Sequence, residues 1–290
     1  MGGKGWTNRV RPSVSGASRL RPRSVVGRCV LVIALALLGQ LVLWPGSASA
    51  ATINVTSTAD VATNFGACGS AATVPTGTSL REAICAANNA GATSTTINVA
   101  AGTYTLSNGE LAMGKVAGSN ITLNGAGSAS TIIDGNHNSR VFDLDPNVVG
   151  GVTTSISGIT VTNGRDGTFG GAGLIAGGGH NAADNLTVSN SVFSNNQANF
   201  AVPTASSKPG GGMSFQGGNL NLTNVSFTGN QSFSSAGAGL WYQTFEAGGT
   251  LTLTGSTFSG NSTTASRGRS ARSALSAEAW SPSRSQRADA

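Results

Sequence analysis

Between Leu186 and Asn261 one eleven-residue phrase is written three times. Leu186-Thr-Val-Ser-Asn-Ser-Val-Phe-Ser-Asn-Asn196 returns as Leu220-Asn-Leu-Thr-Asn-Val-Ser-Phe-Thr-Gly-Asn230 and as Leu251-Thr-Leu-Thr-Gly-Ser-Thr-Phe-Ser-Gly-Asn261. A divergent copy stands at Ile159-Thr-Val-Thr-Asn-Gly164. The matching apolar positions Val161, Phe193, Phe227 and Phe258 are 32, 34 and 31 residues apart. A period of this size describes one structural unit stacked on its neighbours, each completing the core of the next.

Between copies lies a glycine-led segment: Gly170-Gly-Ala-Gly-Leu-Ile175, Gly210-Gly-Gly-Met-Ser-Phe215 and Gly237-Ala-Gly-Leu-Trp-Tyr242. A unit therefore offers three short strands, such as Gly212 to Gln216, Leu220 to Thr223 and Val225 to Thr228, separated by Gly or Asn. Leu220 with Leu222 and Leu251 with Leu253 alternate with period two, which sends one side chain inward and the next outward. Three strands and tight corners per unit make one coil of a parallel β-helix, with the phenylalanines stacked inside and Asn and Gly at the corners taking positive φ. A β-sandwich also holds many short strands, but it has no use for one Phe-x-x-Asn phrase recurring in order. Thr96 to Leu106, Asn120 to Leu123, Thr131 to Ile133 and Val141 to Leu144 read as earlier, less regular coils.

Composition agrees and narrows the function. Only 10% of residues are charged, against about 25% in an ordinary soluble domain. Gly, Asn, Ser and Thr are abundant, and all of them favour turns or strands over helix interiors. The net charge of +6 comes from the ends: residues 51 to 261 hold five basic and nine acidic residues, so their formal charge is 5 − 9 = −4. A basic stripe for phosphates is missing from that region, which argues against a nucleic-acid partner.

Lys4 to Arg28 is basic, Cys29 to Trp44 is apolar apart from Gly39 and Gln40, and Ala48-Ser-Ala50 closes the segment. That order spells a secretory signal peptide over residues 1 to 50, cleaved after Ala50; the alternative is an uncleaved N-terminal anchor, which would be the chain's one membrane contact. Beyond it stand two cysteines, Cys68 and Cys85. In an oxidising compartment they read as one disulfide, with two free buried thiols as the alternative. From Ala265 to Ala290 the repeat stops: the tail carries five Arg and no Asn, Val, Ile or Phe, and is expected to be disordered, the product of truncation or a frame shift. The folded domain is thus expected over residues 51 to 264.

One stretch is helical, about residues 79 to 89. Ser79-Leu-Arg-Glu82 is a capping box, and Leu80, Ala83, Ile84 and Ala87 share a face, so the helix is placed to cover the N-terminal end of the coils. Ser79-Leu-Arg-Glu-Ala-Ile84 with Ala86-Ala-Asn88, Thr131-Ile-Ile-Asp-Gly-Asn136, Arg140-Val-Phe142 and the Phe-x-x-Asn and Gly-Gly-Gly repeats resemble the bacterial extracellular proteins named for their CSLREA motif. These in turn are similar in style to polymorphic outer membrane protein passengers. The resemblance covers about residues 52 to 261. It implies an all-β, right-handed single-stranded parallel β-helix of the pectin lyase-like kind, export, and a role at a bacterial surface. Thr78 stands where the motif has its cysteine, so the pairing of Cys68 with Cys85 is a substitute for the usual one.

The densest polar cluster is Asp134, His137, Arg140, Asp143 and Asp145. Paired carboxylates beside an Arg are the chemistry of polysaccharide lyases and hydrolases on this fold, so Asp134, Arg140, Asp143 and Asp145 are the catalytic candidates, while an ordinary Asp-Gly-Asn corner is the plainer explanation. Trp241, with Tyr242 and Phe245 beside it, points outward if Leu240 and Tyr242 point inward, and would stack on a sugar or meet a partner protein. No metal-ligand spacing and no cofactor motif is present in the sequence. The sequence thus leads to a non-catalytic exported adhesin or structural module with a surface glycan or protein as partner, and, second, to a carbohydrate-active enzyme.

Overall fold

The computed structural model describes residues 50–62, 78–166, 170–198, 210–233, 237–243 and 248–263. These residues form a parallel β-helix. Every strand pair is parallel, and equivalent positions of successive coils face one another in register: Val161 against Phe193, Phe193 against Phe227, and Phe227 against Phe258. The described residues form three sheets, one of eleven strands, one of six and one of four, the last beginning only at Arg165–Asp166.

Inward positions stack as ladders. On the large sheet Ile53, Ile97, Leu123, Ile156, Val188, Leu222 and Leu253 follow one another in adjacent strands. On the six-stranded sheet the ladder is Tyr104, Ile133, Val161, Phe193, Phe227 and Phe258. The Phe193 and Phe227 centroids are 5.1 Å apart and those of Phe227 and Phe258 4.9 Å, close to the spacing of about 4.8 Å between paired strands. Backbone pitch alone therefore brings the rings into contact. Each buried Phe contributes about 2–3 kcal/mol by leaving water.

The division into strands differs from the sequence reading. The glycine-led and Leu-x-Leu segments are not two sides of the coil but one long strand, Met213–Thr223, of the large sheet. The third side is a sheet of two-residue strands, Arg165–Asp166, Gln197–Ala198, Gln231–Ser232 and Ser262–Thr263, which two residues of sequence could not announce. Thr153–Ser157 and Leu111–Met113 are further strands that the sequence reading passed over.

The repeated asparagine also does something other than turn a corner. Positive φ falls at Asn163, Asn195, Gly229 and Gly260, one residue before the end of the phrase, and at Gly158, Asn190, Asn224 and Gly255 earlier in it. The final Asn196 and Asn230 are wholly buried and form a ladder with Asn261: Asn196 Nδ2 donates to Asn230 Oδ1 at 3.0 Å, and Asn230 Nδ2 to Asn261 Oδ1 at 2.9 Å. The same amides donate to the carbonyls of Val161 and Phe193, and their Oδ1 atoms accept from the backbone N–H of Gly164 and Asn196. The third glycine of the glycine-led segment lies against this ladder. A Cβ on Gly212 would stand 2.5 Å from the Gly239 carbonyl oxygen and 2.9 Å from the Phe227 ring. The two repeat motifs thus require each other.

At the N-terminal end, Ala51–Ser57 pairs with Thr95–Val99 on one side and Thr78–Ser79 on the other. The helix Leu80–Asn89 follows directly, with the capping box formed on both sides: Ser79 accepts from the Glu82 N–H and Glu82 from the Ser79 N–H. Leu80, Ala83, Ile84, Ala86 and Ala87 join the core, so the helix covers the end of the cylinder. Asn88 acts as a substitute strand: its Nδ2 donates to the Ala112 carbonyl at 2.8 Å and its Oδ1 accepts from Gly114 N–H at 2.8 Å. Cys85, on this helix, is disulfide-bonded. Cys68, residues 1 to 49, on which the expected signal peptide falls, and the residues from Thr264 on lie outside the described residues.

Candidate functional site

Arg140 precedes the strand Phe142–Leu144 and is 7% exposed. A buried guanidinium needs partners, and it has them on three coils. Its Nη1 is 2.8 Å from Glu110 and 3.6 Å from Asp143, and its Nη2 is 2.8 Å from Asp166 and donates to the Gly170 carbonyl at 3.3 Å. Backbone bonds cross the coils here too: Leu111 N–H donates to the Val141 carbonyl, Val141 N–H to the Ala172 carbonyl and Arg165 N–H to the Ser139 carbonyl. A second arginine works beside it: Arg81 holds Asp60 with both Nε, at 2.6 Å, and Nη2, at 3.1 Å, and donates to the carbonyls of Gly109 and Glu110. The ion pairs add side-chain ties between coils to these backbone bonds.

Asp143 is the group whose chemistry is altered. Burial, the largest cause, pushes its carboxyl up to about 7; Arg140 opposes this, and Glu110 and Asp145 add to it. Arg140 is the strongest opposing influence but does not cancel the burial, its closer contacts going to Glu110 and Asp166. Asp184 behaves alike: burial first, then Asp145, raise it to about 6 against the hydrogen bond from Val152 N–H. Asp60 goes the other way, because the bonds from Arg81, Asn108 and Ser107 outweigh its burial and hold it below the ordinary carboxylate value.

Of the sequence candidates, the structure brings Arg140 and Asp143 together. Asp145, at φ 54° and 1% exposed, accepts from the N–H groups of Val149 and Gly150 and so organises a turn. Asp134 accepts from Asn136 N–H and Asn163 Nδ2 at the opposite corner, and His137 takes φ 52° there with its N–H bonded to the Asn163 carbonyl. Glu110 and Asp166 are full members of the cluster that sequence reasoning missed; their signal is only that each lies about one period from Arg140, at 30 and 26 residues. Among the described residues no group of three or more His, Cys, Asp or Glu is arranged to hold a metal ion.

No family model, curated protein or solved structure matches this chain.

The other candidate is the outer side of Leu240–Gln243. Leu240 is buried, and Tyr242 stacks on Phe215 at 5.9 Å and donates to the Gly218 carbonyl at 3.0 Å, burial pushing its phenol up to about 12. Trp241, between these two, is half-buried on the other side of the strand and pairs in register with Ser214. The Ser214 hydroxyl and both amide atoms of Gln216 are buried there without a hydrogen-bond partner. Phe245 lies outside the described residues.

Proposed function

We propose that this chain is an exported bacterial β-helix module, an adhesin or structural element that works by the surface it presents and not by turnover. The observation that carries the reading is the bonding of Arg140. Its guanidinium joins Glu110 of one coil to Asp166 and the Gly170 carbonyl of another, which is the work of a structural tie. An enzyme needs acid, base and charge stabiliser converging on one reacting centre, and Asp134 and Asp145 are instead engaged in corner hydrogen bonds. Half-buried Trp241, on the outer side of its strand, suits contact with a cell-surface glycan or protein through stacking. Export rests on the basic, apolar and Ala-Ser-Ala order of residues 4 to 50. Purified protein incubated with pectic, alginate and xylan-type polymers is expected to release no reducing or unsaturated ends, and N-terminal sequencing of exported material is expected to start at Ala51.

A second reading rests on Asp143, whose carboxyl near 7 beside Arg140 has the properties of a general acid or base on a polysaccharide. Turnover of any of those polymers that vanishes in Asp143→Asn, with the fold intact by circular dichroism, would establish it in place of the first.

A further inference from the structure

We infer that the outward face of the large sheet, along the two columns that begin at Thr52 and Asn54, is a surface that binds ice. Strand alternation puts the residues on either side of an inward ladder on the outside. Along the ladder from Ile53 to Leu253 the preceding residues are Thr52, Thr96, Thr122, Ser155, Thr187, Asn221 and Thr252, and the following residues, from Asn54 to Thr254, are three Asn, two Ser and two Thr. All fourteen are uncharged side chains that hydrogen-bond, none is buried, and the register between them is unbroken over seven rungs. The rest of the coil's outside is not like this. The outward columns of the six-stranded sheet are interrupted by Ile132, Val192 and Asp134, and an outward column on the other half of the large sheet holds Asp143, Ile175 and Trp241.

Hydrogen bonds between rungs hold these side chains in place: Asn98 Nδ2 donates to Asn54 Oδ1 at 3.0 Å, and Ser157 Oγ to Asn124 Oδ1 at 2.9 Å. Backbone pitch sets the grid, about 4.8 Å from rung to rung and about 6.6 Å between columns two residues apart. The two columns carry no charge to draw an ion or a charged chain and no aromatic ring to stack on a sugar. A protein segment or a single glycan chain repeats in one direction at most, whereas this face repeats in two. A partner that uses the repeat must share it, be uncharged, and both donate and accept hydrogen bonds. Ice meets all three conditions, because the oxygen atoms of its prism faces repeat at distances close to those of the grid. Water bonded to the hydroxyl and amide groups is then held near lattice positions, and the protein is frozen to the crystal through it.

Growth of a single ice crystal in a solution of the full chain, and partition of the chain into a slowly advancing ice front, test this. The parent is expected to facet the crystal and to enter the ice. Thr187→Lys and Thr122→Lys, each of which sets a long charged side chain within the grid, should lose both effects with an unchanged far-ultraviolet spectrum, and Thr257→Lys, on the six-stranded sheet, should behave as the parent. A parent that leaves the crystal a round disc and stays in the liquid would overturn the proposal. So would a folded Thr187→Lys or Thr122→Lys variant that keeps both effects, a folded Thr257→Lys variant that loses them, or retention by crystalline cellulose or chitin without any effect on ice, which would give the face to a polysaccharide.

Discussion

Two asparagines of one repeat unit, six residues apart, do different work. Asn224 sits at φ 54° on an exposed corner, where glycine is equally at home, whereas Asn230 is buried with its amide shared among Asn196, Asn261 and the Phe193 carbonyl. Asn224→Gly is therefore expected to change stability by less than about 1 kcal/mol, and Asn230→Ala to cost about 2–4 kcal/mol by leaving buried partners unmet, both read from urea denaturation midpoints. Asp143 and Asp184 carry the pH dependence. Unfolded, each titrates near 3.8; folded, burial raises them to about 7 and about 6. Between those limits the folded state holds protons that the unfolded state has released. Their contribution is complete below about pH 3.8 and is lost as pH rises through 6 to 7. Asp60, held low by Arg81, acts in the opposite sense and withdraws its contribution as pH falls below the ordinary carboxylate range. The melting temperature is expected to peak between about pH 4 and 6 and to decline towards pH 8, and Asp143→Asn should flatten the decline. A melting temperature that climbs steadily from pH 5 to 8 would mean that these carboxyls are not buried as described.

At the scale of elements, the N-terminal helix shows what could be read in advance. Its capping box and apolar face were legible because both depend on neighbours within two turns, Ser79 with Glu82 and Leu80 with Ala83, Ile84 and Ala87. The outward half of the same motif was not, since Arg81 finds Asp60 and the Gly109 and Glu110 carbonyls, 21 to 29 residues away in chain segments with no repeat to align them. The strands follow the same division. The three copies of the phrase announced their register, whereas the two-residue third sheet left no periodicity to see and Leu111–Met113 is paired partly by the side chain of Asn88. The candidate site is legible only in part for the same reason: Arg140 and Asp143 are three residues apart, but Glu110 and Asp166 arrive from other coils. The helix ties predict that Arg81→Lys will not rescue Arg81→Ala, because an ammonium cannot make the forked contact to Asp60 while also reaching two carbonyls. Both variants should destabilise by about 1–3 kcal/mol, with faster amide exchange across residues 107 to 113.

On the scale of the whole molecule, one rule generates the repeated coils: from Leu186 on, each adds a strand to every sheet, a ring or aliphatic side chain to each inner ladder, and an amide to the asparagine ladder. Glycine at 173, 212 and 239 makes room for that amide, so the glycine-led segment and the Phe-x-x-Asn phrase belong to one packing solution. The rule shapes function too, because it sends the inward half of each strand to the core and leaves chemistry to the corners and the outer face. At the Arg140 corner the ionisable groups go to joining coils. Stacking in register is the claim on which the rest depends, and paired cysteines test it directly. Ser194 and Thr228, both half-buried on the outward side of the six-stranded sheet, face each other across neighbouring coils. At a strand spacing of about 4.8 Å their Cα atoms fall within disulfide range, whereas a partner two residues further along does not. Ser194→Cys with Thr228→Cys should oxidise to an intrachain disulfide under mild conditions, and Ser194→Cys with Ser226→Cys should remain reduced. Equal reactivity of the two pairs, or a bond only in the second, would contradict a parallel coil in this register.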